Sequence, residues 1–268
     1  MSKKIIGCNL IKSVTRMEEK LLNNKISVIT GASRGIGREI ALSYAREGAS
    51  LMLICLEDEE RLTEVHWETE RLGAKSVSMT GDVSEIEFCE SVYEETISQH
   101  GSADILVNCA GTITRSLFEE MTLEEWHRVI DVNLHGAFYM CRMFLPGMRE
   151  RNYGKVINIT SQMAHIPHPS ASPSYEVSKA GLTALTKHLA LQYAKYNVCV
   201  NAIAPGSIDT DMPKSMSKED RQRLKNAVPL KRLGEPEELG ECALFLASKM
   251  SNYITGTTLH VNGGSLML

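Results

Sequence analysis

The sequence predicts an α/β domain, a doubly wound parallel sheet of about seven strands with helices on both faces. Three observations lead there. From Lys25 onward, short β-branched or aliphatic runs alternate with longer stretches of helical period, as successive βαβ units require. The first such unit joins its strand to its helix through a glycine-rich turn, Thr30-Gly31-Ala32-Ser33-Arg34-Gly35-Ile36-Gly37. No linker rich in proline, glycine or serine divides the chain and no repeat of solenoid period is visible, so residues 23–268 read as one domain.

Taken in order, the β-branched and aliphatic runs place strands near 26–30, 51–55, 76–80, 104–108, 155–160, 198–203 and 257–261. Between them, helical periodicity places helices near 35–47, 58–73, 85–100, 122–147, 174–196 and 236–248. Residues 1–22 read as an amino-terminal extension. Lys3 and Lys4 precede a very short apolar run that Asn9, Lys12 and Arg16 interrupt, which is not the pattern of a signal peptide.

Composition excludes several classes. The formal charge is 29 − 33 = −4 with acidic and basic residues interspersed, so nucleic acid is not an expected partner. No stretch approaches the roughly 20 apolar residues that span a bilayer, so no membrane partner is expected. Seven cysteines, an odd number without close pairs, fit neither a disulfide framework nor a zinc site. They point to a reducing compartment, and the expected location is the cytoplasm.

The candidate functional residues lie at strand ends. A strand, a glycine turn and a helix in that order let a pyrophosphate rest on the N–H groups at the helix amino end. Gly31, Ser33, Arg34, Gly35, Ile36 and Gly37 are the candidates, with spacing G-x-x-x-G-x-G. About 20 residues on, Glu57 is placed to bind a ribose 2′-hydroxyl and repel a 2′-phosphate, whereas Arg34 would favour that phosphate. Asp82 and Val83 close the third strand, and Asn108, Ala110 and Gly111 close the fourth, where the adenosine half of a dinucleotide would lie. Asn133 falls mid-helix, where asparagine is a poor helix former, which suggests a kink or a water site.

Ser161 ends the fifth strand and is placed to donate to a substrate carbonyl. Gln162, His165 and His168 follow in its loop. The i, i+3 spacing of the two histidines lacks a third ligand, so substrate contact rather than a metal is expected. Tyr175 and Lys179 stand one helical turn apart on one face, and an ammonium beside a phenol favours the phenolate. Pro205, Gly206, Ile208 and Thr210 follow the sixth strand. The polar segment from Asp209 to Asn226 reads as a lid.

Together the TGASRGIG turn, Asp82-Val83, the N-x-A-G at 108–111, Asn133, Ser161, Tyr175-x-x-x-Lys179 and Pro205-Gly206 with Thr210 resemble the short-chain dehydrogenase/reductase family. The likeness runs from about residue 22 to the carboxyl end. It implies a Rossmann-type sheet binding NAD or NADP and a catalytic tetrad of Asn133, Ser161, Tyr175 and Lys179. Tyr175 would exchange a proton with the substrate oxygen, which Ser161 would orient. Lys179 would lower the tyrosine pKa and hold the nicotinamide ribose, while Asn133 would position a water for Lys179. Family members are commonly tetramers built partly from the helices near 122–147 and 174–196, so a homotetramer or homodimer is expected.

Two departures stand out. The usual N-N-A-G is here Asn108-Cys109-Ala110-Gly111. The cofactor-selecting position falls on Cys55 or Leu56 counted from Gly48, and on Glu57 counted back from Arg61-Leu62; Glu57 favours NAD. The expected activity interconverts a secondary alcohol and a ketone in a small carbonyl or alcohol substrate. Reduction of a 3-oxoacyl carrier-protein substrate, a sugar or polyol dehydrogenase and a hydroxysteroid dehydrogenase remain open. Arg149, Arg151 and Lys195 are candidates for an acidic carrier's landing patch. A non-catalytic dinucleotide sensor and cofactor-assisted epimerisation are the readings from other classes.

Overall fold

The computed structural model describes residues 20–168, 171–211 and 217–268. Its strands are β1 (Ile26–Thr30), β2 (Ser50–Cys55), β3 (Ser76–Thr80), β4 (Ile105–Asn108), β5 (Gly154–Ile159), β6 (Val198–Pro205) and β7 (Thr258–Val261). They form one parallel sheet in the order β3-β2-β1-β4-β5-β6-β7. Val28 pairs with Met52 of β2 on one side and Leu106 of β4 on the other, so β1 is central. The helices are α1 (Gly35–Arg46), α2 (Glu59–Arg71), α3 (Ile86–His100), α4 (Leu123–Ile130), α5 (Gly136–Glu150), α6 (Pro173–Tyr193), α7 (Lys218–Ala227) and α8 (Pro236–Ala247).

Successive strand side chains point to opposite faces, and both faces are covered. Ile29, Leu51 and Leu53 pack with Ile40 and Tyr44 of α1 and Leu239 and Leu246 of α8. Val28, Met52 and Leu106 pack with Met140 and Phe144 of α5 on the other side. This is why the central strands read as continuous apolar runs rather than alternating ones. The Tyr44 hydroxyl, buried against α8, donates to the Ala243 carbonyl at 3.0 Å, so its polar tip is satisfied.

β1 has its sequence neighbour β2 on one side and β4 on the other, and the chain winds away from it in both directions. A crevice opens at such a switch point beyond the strands' carboxyl ends.

The structure differs from expectation in three places. The helix expected over 122–147 is interrupted: α4 ends at Ile130, Asp131–His135 forms a π turn, and α5 resumes at Gly136. The polar segment after Asp209 holds α7, capped by Ser217, whose Oγ accepts from Asp220 N at 3.0 Å; residues 212–216 lie outside the described residues. The extension also ends earlier than residue 22. Leu22 belongs to the core, and Leu21 N donates to Glu47 Oε2 at 2.8 Å. Residues 1–19 lie outside the described residues. No helix among those described is long and apolar enough to cross a membrane.

Candidate active site

The glycine turn is shaped by close approaches. Gly31 has φ +69°, and a methyl there would lie 2.9 Å from Ala110 N; one on Gly37 would lie 2.1 Å from the Gly31 carbonyl oxygen. Only glycine fits either position. Thr30 Oγ1 accepts from Cys109 N and Ala110 N, both at 3.0 Å, and so ties the β1 and β4 loops together.

The two loops enclose one end of a cleft of about 930 Å³. Gly31, Ser33, Arg34, Ile36 and Gly37 line it at the amino end of α1. Glu57, Asp82, Val83, Ala110 and Gly111 line it from β2, β3 and β4, and Pro205, Gly206, Ile208 and Thr210 from β6. The Asp82 carboxylate is fixed: Oδ1 accepts from Ser84 N at 2.9 Å and Ser84 Oγ at 2.7 Å, and Oδ2 accepts from Arg128. Burial would raise its pKa, but these bonds hold it below the usual carboxylate range. Size, glycine floor and helix amino end fit a dinucleotide. Among the described residues there is no group of three metal-ligating side chains.

At the other end, Ser172 caps α6 and Pro173 opens it. Ser172 Oγ accepts from Tyr175 N at 3.4 Å and from Thr114 Oγ1 at 2.8 Å, which fixes where the helix starts. Tyr175 therefore falls in the first turn and Lys179 one turn later, both lining the cleft with Ser161. Lys179 Nζ donates to the Ile159 carbonyl at 2.9 Å and lies 5.8 Å from the centre of the Tyr175 ring.

The expected lowering of the Tyr175 pKa by Lys179 is not what the structure shows. Burial raises the phenol, and a hydrogen bond with Ser161 only partly opposes this. Lys179 is itself buried, which pulls its pKa from 10.5 to about 8 and leaves a weakened positive charge for the phenol.

Asn133 sits in the π turn, a feature that re-aims a side chain out of helical register. Its Oδ1 accepts from Thr112 N at 2.7 Å, and its Nδ2 donates to the Thr112 carbonyl at 2.9 Å and to Ser178 Oγ at 3.0 Å. The amide thus clamps the segment after Gly111 to α6 instead of lining the cleft. A methyl on Gly111 would lie 3.2 Å from Asn133 Oδ1 and 3.4 Å from Lys179 Nζ, so the two side chains converge on that glycine.

Three other expected contacts lie outside the cleft lining. Asn108 is turned into the core, where its Nδ2 donates to Asn158 Oδ1 at 2.8 Å. His165 packs on His260 of β7, ring centres 5.0 Å apart. Gly35 contributes backbone at the start of α1, and a methyl there would meet Thr210 at 3.4 Å. Gln162 and His168 do line the cleft.

Sequence reasoning missed Asp58, Arg128, Ile113, Arg115, Met163 and Leu224, which also line it. Arg128, in the last turn of α4, looks in the sequence like an ordinary dipole-complementing charge. Asp58 also caps α2: its Oδ1 accepts from Arg61 N at 3.4 Å.

Comparison with known proteins agrees with this geometry. A family model described as enoyl-(acyl carrier protein) reductase matches residues 31–265. Nodulation protein G of Azospirillum brasilense is 37% identical over 243 residues, covering 91% of this chain and 98% of its own. A 3-oxoacyl-[acyl-carrier-protein] reductase FabG of Staphylococcus epidermidis is 38% identical over 244 residues, covering 91% and 100%. A crystal structure of a short-chain type dehydrogenase/reductase from Mycobacterium marinum superposes with a TM-score of 0.87 at 31% identity, covering 94% of this chain and 99% of that one. The glycine-floored cleft, the tyrosine–lysine turn beside it and these likenesses converge: the chain belongs to the short-chain dehydrogenase/reductase family, NAD(P)-dependent oxidoreductases that act on CH–OH groups.

Proposed function

We propose that this protein interconverts a secondary alcohol and a ketone, with Tyr175 as the acid/base. One observation carries the reading: Ser161, Tyr175 and Lys179 line one end of a cleft whose other end is the glycine turn. When bound, the dinucleotide supplies the hydride. Tyr175 gives its proton to the substrate oxygen during reduction and recovers it during oxidation. Its raised pKa keeps the phenol protonated at neutral pH, ready to act as the acid. Ser161 donates to the same oxygen. Lys179, its pKa brought down to about 8 by burial, resupplies the phenol. Asn133 is a positioning residue that holds Gly111 and Thr112 against α6.

The charges at the adenosine end support NAD over NADP. Glu57, Asp58 and Asp82 line that end. Arg128 is bound to Asp82, and Arg34 and Arg61 lie 3.9 Å and 3.6 Å from Asp58, so these cations are already drawn to carboxylates. A 2′-phosphate would meet the Glu57 carboxylate. The free thiols of the six cysteines described fit a cytoplasmic setting. Exposed Leu123, Phe138, Val177 and Leu191 on α4, α5 and α6 support assembly of copies through those helices.

A second reading, reduction of a 3-oxoacyl thioester, is favoured by the names of the FabG relatives. The basic residues considered for a carrier's landing patch do not add to it. Arg149 and Lys195 stack on Tyr196, and Arg151 donates to the Ala103 carbonyl.

The test is absorbance at 340 nm with NADH and with NADPH against a panel of ketones. Oxidation of the cofactor with at least one ketone is expected, faster with NADH. Cofactor binding without hydride exchange, or cofactor-dependent conversion with no net consumption, contradicts the proposal.

A further inference from the structure

Gln162 follows Ser161 directly, opens the 3₁₀ turn Gln162–Ala164 and lines the substrate end of the cleft. Its Oε1 is buried and has no hydrogen-bond partner. Among the described residues, the other buried side-chain polar atoms without a partner belong to residues that do not line the cleft, so Gln162 is the exception.

A buried polar atom left unpaired is costly. Gln162 lines the cleft, so a ligand seated there can supply the partner. Turning the amide by half a revolution exchanges oxygen and nitrogen with little change in shape, so Gln162 presents either an acceptor or a donor. A hydroxyl, which both donates and accepts, satisfies either orientation; an alkyl group satisfies neither. Adjacent residues have Cα atoms about 3.8 Å apart, so a group that meets Gln162 lies close to the oxygen that meets Ser161. Ile113, Met163 and Leu224 add apolar surface to the same cleft.

We propose that Gln162 is a specificity-determining residue that reads a hydroxyl on the carbon beside the reacting carbonyl, so that the substrates are α-hydroxyketones and the matching vicinal diols. This rests on the secondary alcohol–ketone reading above and narrows it. Sites built to bond a substrate hydroxyl discriminate strongly against analogues that lack it, because the site's own polar group is then left unpaired.

The experiment compares 2-hydroxycyclohexanone with cyclohexanone in the unaltered enzyme and in Gln162→Leu, with acetoacetyl thioester as a third probe. The unaltered enzyme is expected to favour the hydroxyketone by about tenfold or more in kcat/KM. In Gln162→Leu the ratio should fall toward one. A variant that is merely misfolded loses rate on both ketones and keeps the ratio. The proposal is overturned by a ratio near one in the unaltered enzyme, by an unchanged ratio in a Gln162→Leu variant that keeps the parent's rate on cyclohexanone, or by a preference for the thioester.

Failure to reduce any ketone would sink the oxidoreductase reading instead. The hydroxyl proposal is then decided by thermal shifts of the cofactor-loaded protein with trans-1,2-cyclohexanediol and with cyclohexanol. A larger shift with the diol that disappears in Gln162→Leu supports it, and equal shifts overturn it.

Discussion

Replacing Lys179 by methionine should make the empty protein more stable at pH 7 while destroying its activity. Lys179 is 4% exposed, and burial brings its pKa from 10.5 down to about 8. At about 1.4 kcal/mol per pH unit, the difference sets a ceiling of roughly 3.5 kcal/mol on what the buried charge costs the fold at neutral pH. Against this stands the bond from Nζ to the Ile159 carbonyl at 2.9 Å, whose loss leaves a buried acceptor worth about 1–3 kcal/mol.

A flexible apolar side chain of similar length fills the space, so the net gain at pH 7 is about 1 kcal/mol, or roughly 2–4 °C in Tm for a domain of this size. The sign follows from proton binding. Between pH 8 and 10.5 the unfolded chain binds more protons at this lysine than the folded one, so the unaltered protein gains stability as pH rises through that window. Lys179→Met lacks this gain, and its advantage of about 1 kcal/mol should shrink above pH 8 and reverse at about pH 9. Calorimetry of both proteins without cofactor, from pH 7 to 10.5, reads it. A variant less stable than the parent at pH 7, or a difference that does not change with pH, would refute the assignment of a strained buried charge.

The remaining expectations concern the scaffold around that charge. Gly37→Ala places a methyl 2.1 Å from the Gly31 carbonyl, so the turn must shift; the dissociation constant for NADH should rise at least about tenfold, with a loss of roughly 1–3 kcal/mol in stability by denaturant titration. Asn133→Ala removes three hydrogen bonds from a buried site, and the midpoint in urea should report a loss of roughly 2–4 kcal/mol together with reduced turnover. Glu57→Ala should narrow the preference for NADH over NADPH in kcat/KM. An unaltered protein that already turns over NADPH faster would contradict the proposed role of that carboxylate.

The parts of this molecule that were legible in its sequence are those where chemistry restricts the choice of residue. The glycine turn could be read because backbone crowding at Gly31 and Gly37 admits nothing larger. The Tyr175–Lys179 turn could be read because helical spacing puts i and i+4 on one face, and the Ser172-Pro173 start fixes its phase.

The rest depended on packing. Asn133 signalled a kink in the helix, but that the irregularity is a π turn held by contact with Thr112 and Ser178 was not legible from the spacing. α7 buries no residue, so no apolar stripe announced it. Asn108 and His165 are near the right strand ends in sequence, yet one faces the core and the other faces β7, because proximity along the chain does not determine which side of a loop a side chain takes. The pKa of Tyr175 was misjudged for a related reason: the spacing brings a cation near, but burial weakens that cation and acts on the phenol directly.

Tyr175→Phe, studied by nicotinamide fluorescence for binding and by 340 nm absorbance for turnover, isolates the proton step. With Tyr175 as the acid/base, the variant binds NADH as the parent does and loses about 10²–10⁴ in kcat. A variant that keeps more than about a tenth of the parent's turnover, or that fails chiefly because it no longer binds NADH, would show that the proton comes from elsewhere.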